Sequence, residues 1–351
     1  MEIGVFTFAD VALGTDGITP ARRIPELIEE IALADEVGLD VFGIGEHHRV
    51  GYAAAAPVVL LAAAAARTRR IRLTSAVTVL STDDPVRVFE QFTALDHVSQ
   101  GRAEVMLGRG AFPDSFRLFA ETTDDYDNLF DEKLRLLLQL RGDAPVTWSG
   151  RYRPDLVEEH LYPRPTQAQL PVWVAVGGSP GSAVRAGQVG AAMGIVALGG
   201  SPRRLAPLAE LHRQALHQHG HAPQPLGLNL HGFVADTSQK AIDVYGPAET
   251  EVMNTTFAER GFPPLTLDDF VAKTGPNGVY AVGSPGQVID KILTMHALLG
   301  QQRTMLQLAV GTVSHRDLMR AIELLGTQVA PALRAATAGA TDRQEAAKGP
   351  R

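Results

Sequence analysis

The chain has 351 residues, 45% of them apolar and 20% charged, a balance that supports a large core and excludes global disorder. Length alone permits two domains of about 150 residues, but α/β barrels hold about 250 or more in one unit, so the domain count stays open. Acidic residues outnumber basic ones by 39 to 32 and no long basic block occurs, which disfavours a nucleic-acid backbone as main partner and favours small molecules.

There is no cysteine. Disulfides, thiolate nucleophiles and cysteine metal sites are therefore excluded together, and a reducing compartment is expected. The opening Met1-Glu2-Ile3-Gly4-Val5-Phe6 reads as an apolar strand without the basic flank of a signal peptide. The most apolar run, residues 53–66, contains Pro57 and ends at Arg67-Thr68-Arg69-Arg70, well short of the ~20 residues that a membrane span needs. It reads as a buried helix of a soluble protein, and the cytoplasm is the expected location.

In chain order, short β-branched or apolar runs at 3–7, 41–45, 71–79, 103–107, 172–176, 194–197, 226–235 and 304–309 predict eight strands. Helical patterns lie between them. At 25–36, Ile28, Ile31, Ala32 and Asp35 follow turn spacing, and at 85–98, Val88, Phe92 and Leu95 mark an inner face. Eight βα units predict a closed (β/α)8 TIM barrel. An open doubly wound sheet would place a glycine fingerprint directly after the first strand, whereas Phe6-Thr7-Phe8-Ala9-Asp10 leads into a polar loop. Glycine and polar residues gather after several strands, as they do at a barrel's active face.

Two stretches are too long for plain connectors and are expected as insertions at the C-terminal face. Residues 142–170 carry Trp148, Tyr152 and Tyr162; residues 237–283 carry helical patterns at 249–260 and 267–272 and a Gly/Pro-rich exit at 274–278 suited to a hinge. Residues 1–335 are read as one barrel domain, and 336–351, rich in Ala, Thr and Gly, as a disordered tail.

Three constellations follow strands. Glu46-His47-His48 leaves the second; adjacent residues point to different sides, so a shared metal is disfavoured. One imidazole can serve at the barrel mouth as general base or hydrogen-bond donor, oriented by the neighbouring carboxylate, or the pair can be hydrogen-bonded loop histidines. Gly108-Arg109-Gly110 leaves the fourth strand, where an arginine between glycines suits a phosphate or, equally, a turn and an internal carboxylate. Gly177-Gly178-Ser179-Pro180-Gly181-Ser182-Ala183 leaves the fifth and opens a helix, offering free N–H groups and hydroxyls to an anion, or simply an N-cap. His212, His217, His219 and His221 gather where a helix ends at Gly220 and fit solvent and the helix dipole better than a metal. Asn229, His231 and Phe233 alternate along the seventh strand and are further pocket candidates.

Taken in order, these residues resemble the bacterial luciferase-like flavin-dependent monooxygenase family. The resemblance runs from the first strand to about residue 334. It rests on Glu46-His47-His48, Thr74-Ser75-Ala76-Val77, Pro85-Val86-Arg87 with Ser99-Gln100-Gly101-Arg102, Gly108-Arg109-Gly110 with Phe116-Arg117-Leu118-Phe119, Gly177-Gly178-Ser179-Pro180 and Val282-Gly283-Ser284-Pro285. It implies a TIM barrel with FMN at its C-terminal mouth. His47 then matches the catalytic imidazole, beside Glu46. Arg109 and the Gly177, Gly178, Ser179 and Ser182 loop match the phosphate site, and Ser75-Ala76 matches a non-prolyl cis peptide beneath the flavin ring. Two departures stand out: Gly108 replaces a reactive cysteine of some luciferases, and Gly177 a glutamate near the phosphate, so light emission is not implied.

The implied reaction uses reduced FMN, supplied by a separate flavin reductase, and O2 to oxygenate a small organic substrate such as an aldehyde through a peroxyflavin. His47 would act as proton donor or acceptor, and 237–283 would close over the site. The resemblance also leaves room for a deazaflavin-dependent hydride-transfer enzyme and a non-catalytic flavin-binding subunit, and a barrel metal hydrolase is a further enzyme alternative. A homodimer is expected through the early apolar helix.

Overall fold

In the computed structural model, which describes residues 1–11 and 17–347, each apolar run of the barrel pattern contributes a stave. The staves are β1 (Glu2–Thr7), β2 (Val41–Ile44), β3 (Arg72–Ser75), β4 (Ala103–Gly108), β5 (Val172–Val176), β6 (Ala192–Ala197), β7 (Leu226–Val234) and β8 (Arg303–Gln307). Each runs parallel to the next, from Gly4 against Val41 between β1 and β2 to Leu226 against Met193 between β6 and β7. β8 then pairs with β1, Glu2 against Arg303 through Phe6 against Gln307. The sheet thereby closes into a TIM barrel with no open edge among its eight staves.

Around it lie α1 (Pro20–Glu36), α2 (Pro57–Ala65), α3 (Pro85–Ser99), α4 (Pro113–Leu118), α5 (Tyr126–Leu140), α6 (Pro180–Gln188), α7 (Ala206–Gln218), α8 (Ser238–Glu259), α9 (Leu267–Thr274), α10 (Pro285–Leu299), α11 (His315–Leu324) and α12 (Ala330–Ala347). Proline opens α1, α2, α3, α6 and α10, a position where a missing N–H is tolerated and the fixed φ suits the helix. Asp84 caps α3 by accepting from the Val86 and Arg87 N–H groups at 2.9 and 3.2 Å. The 53–66 run yields α2, with Leu60, Leu61, Ala64 and Ala65 buried and Val59 exposed. No helix among the described residues is long and apolar enough to cross a membrane.

At the start of the staves, Glu104 and Arg303 meet inside the barrel, each 2% exposed. Nη1 of Arg303 donates to Oε2 of Glu104 at 2.6 Å and Nη2 to Oε1 at 3.1 Å. Arg72 adds a 3.0 Å bond to Glu104, Glu2 accepts from Nε of Arg303 at 2.7 Å, and the Arg303 guanidinium lies 4.3 Å over the Trp173 ring. Polar chemistry thus closes one end of the barrel and leaves the other end for a site.

Several expectations need correction. The 71–79 run is not one strand: β3 ends at Ser75, and Thr78–Val79 resumes beside β4. The cis peptide lies between Ala76 and Val77, one residue later than the Ser75-Ala76 match implied. Residues 142–170 hold an antiparallel hairpin, Val146–Trp148 with Leu156–Glu159. Its Val146 and Leu161 pack with Phe89 of α3 and Leu136 and Leu140 of α5, on the outside of the barrel, and it supplies no cavity-lining residue. Of the aromatic residues in this stretch, Trp148 packs against the same cluster and Tyr162 is exposed.

Residues 237–283 form α8, α9 and a short strand, Ala281–Gly283, that extends the sheet beside β7, and the end of α8 with Arg260 and Phe262 covers the mouth. The expected hinge at 274–278 is a tied turn: the Gly278 N–H donates to the Gly275 carbonyl at 3.0 Å, and the Lys291 ammonium donates to the Gly275 and Gly278 carbonyls. Residues 336–347, expected as disordered, continue α12, where alanine's high helix propensity outweighs the low hydrophobicity. The rest of that tail, 348–351, and the 12–16 part of the polar loop after β1 lie outside the described residues.

Candidate active site

The C-terminal ends of the staves enclose a cavity of about 540 Å³, a size that accommodates a cofactor ring or a drug-sized ligand. Phe6, Ala76, Met106, Asn229, His231 and Gln307 reach it from the barrel, and Val252, Met253, Thr256 and Phe257 of α8 cover it. Glu46, His47, His48, Arg109 and Gly177, singled out from sequence, all line it as well.

His47 sits among rings, its centroid 4.4 Å from Phe8, 4.4 Å from Tyr52 and 5.4 Å from Phe112. Burial first, and then the positive charges of Arg49 and His48, push its pKa down to about 4, so the imidazole is neutral at pH 7. Glu46 does not orient it as expected. One Glu46 oxygen lies 2.7 Å from Nε2 of His48, and the other accepts the Val79 N–H at 3.0 Å. The strand exit directs alternate side chains apart, so the carboxylate two residues away from His48 meets that ring rather than its immediate neighbour.

Ser75 is buried, and its hydroxyl donates to the Met106 carbonyl at 2.9 Å while accepting the Met106 N–H at 3.1 Å. It stitches β3 to β4 and does not line the cavity, whereas Ala76 does. At Gly108 a Cβ would stand 2.5 Å from Cγ2 of Val77, so the turn after β3 leaves no room there for the cysteine that some luciferases carry.

Arg109 pairs with Asp127 of α5 and lies 4.8 Å over the Tyr126 ring. Asp127 also accepts from Arg185 of α6 at 3.1 Å. Burial tends to raise the Asp127 pKa, but the two guanidinium groups outweigh it and hold the carboxyl below its ordinary value. This chain of charges joins the loop after β4 to the helix opened by Gly178 and Ser179. Gly178 has φ +116°, and open space surrounds a Cβ built at Gly177 or Gly178. Ser179 is the exposed residue before α6, and Ser182 is buried with no partner for its hydroxyl. Of this group only Arg109 and Gly177 line the cavity, and Gly178, Ser179, Ser182 and Arg185 do not; a guanidinium beside an open, glycine-rich helix start fits an anionic group of a bound cofactor.

The second histidine group is committed elsewhere. Nε2 of His212 donates to the Ala191 carbonyl and Nε2 of His221 to the Gln188 carbonyl, each at 2.9 Å, while His217 and His219 are exposed. Among the described residues no group of three His, Cys, Asp or Glu side chains could hold a metal ion. Phe233 stacks on Tyr245 in the core and does not line the cavity.

A family model described as luciferase-like monooxygenase matches residues 1–302. The chain belongs to the luciferase-like monooxygenase family. It is an enzyme, a flavin-dependent oxidoreductase of that family. The 4-hydroxyprotoasukamycin monooxygenase of Streptomyces nodosus subsp. asukaensis is 28% identical over 97% of this chain and 94% of that protein. Among solved structures, monooxygenase RslO1 from Streptomyces bottropensis is 26% identical, with a TM-score of 0.83 over 94% of this chain and 99% of that one. The oxygenating constituent of 3,6-diketocamphane monooxygenase from Pseudomonas putida, solved with FMN, shares the fold with a TM-score of 0.76 and 22% identity over 94% of this chain and 98% of that one.

Sequence reasoning did not single out Arg185, Asp127, Tyr126 or Arg49 of this luciferase-like site. Arg185 stands three residues beyond Ser182 on α6, so helical spacing from the Gly-Ser loop could have found it. Tyr126 and Asp127 gave no local signal, because only the barrel brings α5 beside the loop after β4.

Proposed function

We propose that this chain is the oxygenase component of a two-component, FMN-dependent monooxygenase, receiving reduced FMN from a separate flavin reductase and using O2 to oxygenate a small organic substrate. The observation that carries this reading is Arg109, which lines the cavity with Gly177 and is joined through Asp127 to Arg185 of α6, the helix on which Ser182 has a buried hydroxyl without a partner. These groups would hold the FMN phosphate, while Ala76, Val77 and Gly108 give the ring a flat apolar bed. When bound, the flavin supplies the redox chemistry. The protein's own residues bind it, keep water out with α8, and present at His47 a neutral imidazole able to accept a proton.

FMN and a deazaflavin cofactor are titrated side by side. Wild type is expected to prefer FMN, and Arg109→Ala to weaken FMN binding about tenfold to a hundredfold, the worth of one charge-assisted contact. Oxygen uptake with reduced FMN against aldehydes, ketones and sulfonates then identifies the reaction. Absence of FMN binding, or preference for the deazaflavin, contradicts the reading.

We also propose a homodimer through the face of α2 and α3, where Val59 and Val98 are 67% and 53% exposed. Light scattering that returns a monomer at micromolar concentration contradicts it.

A further inference from the structure

One wall of the cavity holds polar groups that the flavin reading leaves unused, and what they recognise rests on that reading of the site. β7 turns Asn229 and His231 to the same side, and both line the cavity while almost fully buried. The His231 ring lies against Tyr280, with centroids 5.3 Å apart and planes at 24°. Its Nδ1 is 2.9 Å from Oε1 of Glu249, an α8 carboxylate with no solvent exposure. That contact is short but bent, and the Glu249 oxygens and both ring nitrogens lack well-directed hydrogen-bond partners. A carboxylate against Nδ1 favours the tautomer with its proton there, which leaves Nε2 as a bare lone pair.

Asn229 offers a second acceptor. Its Nδ2 points at Sδ of Met106, 3.6 Å away, and its Oδ1 has no partner. The other titratable groups that face Glu249 are Tyr280, Tyr245, Tyr52, Asp10 and Lys273. Burial and the Glu249 charge push the Tyr280 and Tyr245 hydroxyls well up, burial pushes Asp10 up to about 6, and Lys273 lies over the Tyr280 and Phe257 rings. Two unfilled acceptors call for a ligand that brings donors. Phe6, Phe8, Tyr52, Phe112 and Phe257 line the same cavity and call for a flat, apolar body.

We propose that the substrate is a hydroxylated aromatic compound, a phenol, whose O–H donates to Nε2 of His231, with Glu249 as the positioning residue. In the proton step the phenol O–H bond breaks and the proton passes to Nε2. The electron pair stays on oxygen and spreads into the ring, enriching the carbons ortho and para to it for oxygenation. Glu249, against Nδ1, stabilises the imidazolium, as a carboxylate does behind a histidine base.

The probes are 4-nitrophenol and its methyl ether, 4-nitroanisole, titrated into flavin-free protein at a pH below the phenol's own pKa. Wild type is expected to bind the phenol at least about tenfold more tightly than the ether, and the bound phenol to show its phenolate absorption band. His231→Phe should erase the preference while the ether still binds. Glu249→Gln should keep the preference but lose the phenolate band. Nitrogen-15 NMR of the histidine rings should give the Nδ1–H tautomer for His231 in wild type, a readout that stands even where a variant fails to fold. Equal affinity for the two probes, no binding of either, or an Nε2–H tautomer overturns the proposal. FMN titration of the same samples keeps the two readings apart: loss of FMN binding with the phenol preference intact overturns only the flavin assignment, and the converse overturns only this one.

Discussion

Walled by Phe8, Tyr52 and Phe112, the His47 ring has little water to support a positive charge, and its pKa falls to about 4 from 6.5. Between those two values the unfolded chain binds a proton that the folded chain does not. His47 therefore contributes stability that is complete above pH 6.5 and is lost as the pH falls towards 4. Asp10, raised to about 6 by burial, works in the opposite sense: the folded state holds its proton, and that contribution is lost as the pH rises through 6. The His47 effect is isolated by comparing urea midpoints of wild type and His47→Gln across this window. The variant is expected to lose less stability on acidification, and parallel curves would show that the ring is not desolvated. On a substrate identified by oxygen uptake, His47→Ala should slow turnover about 10²- to 10⁴-fold while FMN affinity is largely kept. At this scale the sequence shows that Glu46, His47, His48, Arg109 and Gly177 reach the mouth, because motifs at strand ends are local, but not that Ser75, Gly178, Ser179 and Ser182 lie outside the cavity lining. It does not show that Glu46 serves His48 and Val79, since that choice depends on the angle at which the chain leaves β2.

At the scale of elements, α8 is anchored at one end and clasped at the other. Thr237 caps its start, and Tyr245 stacks on Phe233 and donates to the Gln307 carbonyl at 2.7 Å. Its far end is held by Arg49, which pairs with Glu259 and lies 3.1 Å from Asp114, and by Arg260, which donates to the Ala111 carbonyl at 3.3 Å. Arg49 and Arg260 both lie over the Phe112 ring, at 4.3 and 5.4 Å. Glu259 is 41% exposed, so its ion pair is worth under about 1 kcal/mol and restrains the tip without fixing the fold. Glu259→Ala is expected to speed amide exchange around 256–262 about two- to fivefold, with Tyr245 and the melting temperature unchanged. If exchange at the tip does not move, the clasp does not hold the cover. The covering role of 237–283 was legible from its length and its own helical pattern. The hairpin at 146–159 was not, because its strands are three and four residues long, too short for a period-2 signal. The strand at 281–283 is shorter than its Gly-rich surroundings reveal, and the break after Ser75 is invisible in an apolar run that continues to Val79.

For the whole molecule, eight apolar runs alternating with helical patterns made the barrel legible, since a parallel sheet buried on both faces needs such runs. What closes its lower end was not legible. Glu104 interrupts the apolar β4, and its partner Arg303 lies 199 residues away. With Glu2, Arg72 and the Trp173 ring, this pair ties together β1, β3, β4, β5 and β8. Removing one member leaves a buried charge unmatched, whereas removing both leaves only apolar contacts to make. Glu104→Gln is therefore expected to cost about 3 kcal/mol, read from urea unfolding. Glu104→Leu combined with Arg303→Met should recover most of that loss, because Glu2 and Arg72 are each 40% exposed and already lie 3.9 Å apart. FMN affinity should be unchanged in every folded variant, since the pair lies at the opposite end of the staves from the cavity. A double variant less stable than Glu104→Gln would mean that the ion pair itself, rather than the filling of the barrel end, holds these five staves together.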